Sequence, residues 1–207
     1  MTSTTPVALP PNHHAGHPGF AGLSGMAAGL SMIPGRGAVG RLAADLTAVS
    51  PSDHVVDLGC GPGVAAREAA RRGARVTGVD PAPVMLRLAS RLTRSTSGIT
   101  WSEGAAEAIP LADAAATVLW SIATVHHWHD LDAGLREVDR VLAARGRLLV
   151  IERQTRPEAT GHASHGWTDE QAAGFAERCR EMGFVAVQVG RHAGRRPLLT
   201  VQAQAAA

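Results

Sequence analysis

The stretch "VVDLGCGPGVAAREAARRG", Val55 to Gly73, decides the fold. An apolar run leads into three glycines, Gly59, Gly61 and Gly63, and an alanine-rich run follows. Glycine is costly inside a helix or strand, because it has the most conformational freedom to lose. Clustered between two regular elements, it marks a turn whose backbone is closely approached. The pattern reads as a buried strand, a glycine turn and a helix, with Gly73 just past the helix end.

Outward from that unit, strands and helices alternate. "ARVTGVD" is a second strand, and "PVMLRLASRLTR" a helix with apolar residues at 84, 85, 88 and 92. "ITWSE" and "ATVLWSI" are the third and fourth strands. "DLDAGLREVDRVL" is a helix with Asp130 as N-cap and Leu131, Leu135, Val138 and Leu142 along one face. "RLLVIE" is the fifth strand, and "TDEQAAGFAERCREMG" a helix capped by Thr168 and ended by Gly183. "FVAVQVG" and "PLLTVQA" are two last strands around "RHAGRR". Repeated strand–helix pairs imply an α/β, doubly wound, mostly parallel sheet with helices on both faces. The last two strands have no helix between them, so they form an antiparallel hairpin at one edge.

Upstream, "GAVGRLAADLTAV" reads as a helix running to the Pro51 turn. Residues 1–18 are rich in Pro, His and Thr and read as loose. Residues 20–33 are small and apolar, and suit a short helix or a mobile cover. The expected organisation is a loose segment and lid over 1–39 and one domain over 40–207, with no internal repeat.

Composition bounds the chemistry. The 207 residues are 45% hydrophobic and 18% charged, as in an ordinary globular domain. A net charge of +2 gives no reason to expect nucleic acid or an acidic membrane surface. Every basic residue is Arg, and Tyr is also missing, so no Lys or Tyr base can act here. Cys60 and Cys179 form no C-x-x-C and suit a reducing compartment. No apolar run reaches the length of a membrane span, and no basic region precedes the N-terminal apolar stretch. The expectation is a cytoplasmic protein.

A glycine turn between the first strand and first helix of such a sheet is a nucleotide-cofactor site. Asp80 ends the second strand, where a carboxylate can take two ribose hydroxyls. Dinucleotide sites use G-x-G-x-x-G, whereas this chain has G-x-G-x-G with Pro62 inside it. The Tyr and Lys of short-chain dehydrogenases are missing too, so an NAD(P)-type oxidoreductase is the alternative reading. A non-catalytic cofactor-binding protein is the other.

"VVDLGCGPG" and "VTGVDPAPVML" resemble the first two motifs of class I S-adenosylmethionine-dependent methyltransferases. The stretch from "EGAAEAIPLAD" to "GRLLVIE" is similar to their small-molecule branch, which includes the ubiquinone and menaquinone biosynthesis methyltransferases. The resemblance covers roughly residues 40–203. It implies S-adenosyl-L-methionine as cofactor. Gly59, Cys60 and Gly61 would lie against its methionine part, with Asp57 beneath the turn. Asp80 would hold the ribose, and Pro81 and Met85 would pack near the adenosine. Ala105 and Ala106 stand where the family has G-D-A, whose Asp bonds the adenine amino group. That carboxylate is missing, so Glu103, Glu107 or a backbone carbonyl would substitute. Ser121 would orient the methionine end.

Methyl transfer needs alignment in a dry site, and a base only if the acceptor must lose a proton. "HHWHD" supplies His126, His127 and His129, and "GHASHGW" supplies His162 and His165. The two segments follow neighbouring strands and emerge at the carboxyl end of the sheet. His127 and then His126 are the candidate general bases; packing or capping the next helix is the competing role. No H-x-x-x-H or carboxylate spacing marks a preformed metal site, so no metal is expected. Trp120, Trp128 and Trp167 would serve as pocket walls or as core. Asn occurs only at position 12, which excludes the Asn-Pro-Pro-aromatic motif of amino-group methylation. The expected partner is a small-molecule acceptor, with neither nucleic acid nor membrane, and a homodimer is compatible with the sequence.

Overall fold

A computed structural model describes residues 36–160 and 164–207. The lid expected within residues 1–33, and His162, lie outside the described residues. Helix α1, Arg36–Leu46, leads into strand β1, His54–Leu58, and helix α2, Val64–Arg71. Then follow β2 (Arg75–Asp80), α3 (Pro83–Leu92), β3 (Ile99–Glu103) and β4 (Ala116–Ile122). A 3₁₀ turn, Val125–His127, precedes α4, Leu131–Val141. β5 (Leu142–Arg153), α5 (Asp169–Glu181), β6 (Val185–His192) and β7 (Leu198–Gln204) complete the chain.

The seven strands are ordered β3-β2-β1-β4-β5-β7-β6. β1 to β5 pair in parallel, and β7 runs antiparallel between β5 and β6. The expected hairpin is therefore present at one edge. Strand order reverses direction between β1 and β4, which opens a crevice at their carboxyl ends.

Alternation along the strands builds two layers. Val55, Val118, Trp120, Leu149 and Ile151 face Ala43 and Ala44 of α1 and Ala66 and Ala69 of α2. Val56, Leu119, Leu148 and Val150 face Leu135 and Val138 of α4 and Phe175 of α5. Each such large side chain contributes roughly 1.5–3 kcal/mol on burial. Trp120, Trp128 and Trp167 all lie in this core, so they are packing residues and not pocket walls. Trp120 also donates its indole N–H to Thr47 Oγ1 at 3.1 Å.

The helix signals act as the sequence indicates. Asp130 accepts from Ala133 N at 2.9 Å, and Thr168 and Gln171 form a reciprocal capping box. Pro83 starts α3, where its missing N–H has no consequence. β5 begins at Leu142, earlier than "RLLVIE" indicates, because Leu142 already pairs with Ala116 before the register slips. At the far edge, β6 also changes register between Val185 and Gln188, with Ala186 in the left-handed region at φ 52°.

His54, at the start of β1, is buried and held at both ring nitrogens. Its Nδ1–H donates to Ala115 O at 2.7 Å, and Nε2 accepts from Thr77 Oγ1 at 2.8 Å. Burial lowers its pKa. The unfolded chain therefore binds a proton below about 6.5 that the folded chain refuses. Stability from this group is complete above that value and declines as pH falls toward the lowered folded one. Thermal midpoints measured down this range should fall in the native chain, and His54→Asn should lose that part of the slope.

Candidate active site

The glycine turn sits where β1 ends, directly opposite the end of β4. Each of its three glycines has a different reason. A Cβ on Gly59 would run into the Thr124 side chain, and one on Gly63 into Trp101. A Cβ on Gly61 would meet no atom of the described residues within 4 Å. The protein itself approaches the two outer glycines, and only the middle one borders open space. Thr124 and Trp101 were not singled out by sequence, since no local motif marks a side chain that fills another segment's missing Cβ.

The N–H groups of this turn are consumed internally. Gly59 N and Cys60 N both donate to Val79 O, and Gly63 N donates to Cys60 O. Asp57, buried beneath the turn, accepts from Ala66 N at 3.1 Å and so caps α2 with a carboxylate. Asp57 thereby places a negative charge at this helix end and takes one of its donors.

Asp80 stands at the end of β2, on the same turn. Its Oδ2 accepts from Gly61 N at 2.8 Å and its Oδ1 from Ala82 N at 2.9 Å. Burial raises its pKa even against these two bonds. A buried carboxylate has about four acceptor positions, and two backbone donors leave it under-solvated. Two hydroxyl donors beside Gly61 would complete it, so these residues fit the ribose of a nucleoside cofactor.

The neighbouring residues divide into surface and support. Pro81 is exposed at the mouth, whereas Met85 is buried with Ala82 and Val84 and supports the Asp80 turn from below. Ala105 is half-buried and Ala106 buried, after Gly104 N bonds Asp80 O at 3.3 Å. Glu107 is not directed to an adenine; its Oε1 accepts from His129 N and Asp130 N. Glu103 is exposed and paired in register with Asp80. The Cys60 thiol is buried toward Gly78, and burial, with Asp57 and Asp80 adding to it, pushes its pKa well up. It stays protonated and has no nucleophilic role.

Across the crevice, Ser121 is fully buried and shares a 2.6 Å hydrogen bond with Thr124 Oγ1. Thr124 in turn donates to Leu58 O at 3.2 Å. Ser121 thus positions Thr124, the residue that presses on Gly59. Thr124 leads straight into the 3₁₀ turn that carries His126 and His127.

His126 is held by a buried carboxylate. Glu152, buried at the end of β5, accepts from Val125 N at 3.0 Å and lies 2.9 Å from His126 Nδ1. The carboxylate accepts, so Nδ1 carries the proton and Nε2 the lone pair. His127 is exposed, with its ring centroid 4.0 Å from that of His126. His165 joins them at 5.7 and 5.9 Å. Its segment is tied to β5: Arg153 Nε donates to His165 O at 3.0 Å, and Trp167 N to Arg153 O at 2.9 Å. His129 stands apart, engaged through its backbone at the start of α4.

Residues 56–150 match a family model described as a methyltransferase domain. The ubiquinone/menaquinone biosynthesis C-methyltransferase of Rubrivivax gelatinosus is 36% identical over 110 residues, 53% of this chain and 43% of that protein. The chain spans less than half the length of the curated relatives it matches. The fold is similar to a SAM-dependent methyltransferase from Aquifex aeolicus, with TM-score 0.73 and 16% identity over 86% of this chain and 97% of that one. It is also similar to a phosphoethanolamine N-methyltransferase of Haemonchus contortus solved with S-adenosyl-L-methionine, with TM-score 0.67 and 14% identity over 82% and 53%. No described helix is long and apolar enough to cross a membrane.

Proposed function

We propose that this member of the class I S-adenosylmethionine-dependent methyltransferase family moves a methyl group from S-adenosyl-L-methionine to a small-molecule acceptor. One observation carries the reading. Asp80 is an under-solvated carboxylate beside the open space at Gly61, while Asp57 closes the α2 N-terminus. That arrangement suits the hydroxyls of a nucleoside, and the Asp57 carboxylate at the α2 N-terminus makes the place less favourable for a pyrophosphate. It therefore weighs against the oxidoreductase alternative.

Bound there, the cofactor would supply an electrophilic methyl group, whose transfer to an aligned nucleophile would break its bond to sulfur and leave S-adenosylhomocysteine as the thioether. The chain's own residues do the remainder. Asp80 accepts the ribose hydroxyls. Gly59, Cys60 and Gly61 form the floor under the methionine part, with Asp57 and Ser121 fixing that floor from behind. Pro81, Ala105 and Ala106 flank the adenosine, and Met85 holds their turn in place. His126, with its Nδ1 anchored on Glu152, and the neighbouring His127 face the acceptor and take its proton. Substrate alignment supplies most of the acceleration.

Calorimetry with S-adenosylhomocysteine tests the donor half. Asp80→Ala deletes a charge-assisted interaction of ~1.5–3 kcal/mol and should weaken binding by about 10- to 100-fold. An unchanged dissociation constant, or tighter binding of NAD(H) than of S-adenosylhomocysteine, would remove the reading.

A further inference from the structure

We infer that His126, His127 and His165 together hold one divalent transition-metal ion of the zinc class. One ring nitrogen from each lies within 4.8 Å of the others, a distance no local spacing in the sequence reveals. Two of the residues come from the turn after β4 and the third from the segment after β5. The register between these strands brings them together.

Three features make this a built cluster. First, imidazole nitrogen is a suitable donor for zinc, copper, iron and nickel, and three of them leave one position open for a substrate. Second, Glu152 accepts at His126 Nδ1 from a buried position. A carboxylate on the far nitrogen is what orients a metal-binding histidine and raises its basicity. Third, both segments are fixed: Val125 N on Glu152, and His165 O on Arg153. Tetrahedral ligands at ~2.0–2.1 Å from an ion stand nearer one another than this, so the rings must draw in by about an ångström.

The ion's role rests on the methyl-transfer reading above and takes over the proton-accepting part given there to His126 and His127; its binding does not rest on that reading. Placed beside the methyl donor, a Lewis acid would lower the pKa of an acceptor hydroxyl, enol or thiol and so do the work of a base. The three imidazole lone pairs would then be spent on the ion.

The test uses the full chain, stripped with chelator and titrated with Zn²⁺ against a chromophoric competitor. One ion per chain is expected. His126→Ala, His127→Ala and His165→Ala should each abolish competitive binding, and Glu152→Gln should weaken it by ~10–100-fold. Co²⁺ should give the intense visible bands of a tetrahedral site, lost in His165→Ala. The chain also carries His13, His14 and His17 near its N-terminus, a ready chelating group in their own right. Replacing all three with Ala should leave the site's affinity unchanged. Zn²⁺ binding that disappears with those three, or that survives in all the single variants at 126, 127 and 165, overturns the proposal. Affinity for S-adenosylhomocysteine, measured on the same samples, should stay constant. A native chain that holds the ion but ignores that ligand would support the site and sink the methyl-donor reading alone.

Discussion

Gly61→Val abolishes S-adenosylhomocysteine binding in a chain that still folds: this is the expected result for the middle glycine of the turn. Its Cβ would meet no atom of the described residues within 4 Å, so they raise no steric objection. The cofactor does, if it lies there. The backbone at φ 51° adds strain of about 1–2 kcal/mol for a non-glycine residue, more for a branched one. Gly61→Asn separates the two effects, because Asn tolerates this conformation while still filling the space. It should keep the thermal midpoint and lose the ligand. Gly59→Val and Gly63→Val should behave oppositely and lower the midpoint steeply, since they collide with Thr124 and Trp101. Calorimetry and thermal denaturation on the four variants suffice. Normal binding by Gly61→Val would take the cofactor away from this turn.

The second large effect belongs to the histidines. His126→Gln should lower the single-turnover rate by ~10²–10⁴-fold and leave S-adenosylhomocysteine affinity intact. His127→Gln should also lower the rate if that ring shares the role. The pH profile of the native rate should differ from that of His126→Gln if this ring takes the acceptor's proton. Glu152→Gln keeps a hydrogen-bond acceptor for Val125 but removes the charge, so it should reduce rate without erasing it. A merely structural His126 would change the thermal midpoint and leave the pH profile alone. If rates stay near normal in both His variants, neither residue takes the proton.

The order of strands and helices was legible because it depends on local signals: the turn glycines, the caps at Asp130 and Thr168, and apolar spacing. That Asp57, the glycines and Asp80 stand together was legible for the same reason, since they lie on one continuous strand–turn–helix–strand unit. The acceptor half was not. His165 reaches His126 only through the β4–β5 register and the tie of its carbonyl to Arg153. Likewise, Gly59 and Gly63 are explained by Thr124 and Trp101, which are distant in sequence. Glu107 shows the limit from the other side: a carboxylate in the right stretch, already committed to the backbone of His129 and Asp130.

The slipped register of β6 bears on how this protein survives at high concentration. A regular open strand presents a row of outward N–H and C=O groups, which another chain can copy indefinitely. Among the described residues, Val185 and Val189 are the large apolar side chains left in solvent, and both lie on that strand. The irregular stretch around Ala186 breaks the row beside Val185, and Arg191 puts a charge near its other end. The most exposed border of the sheet is thereby a poor template for fibre growth.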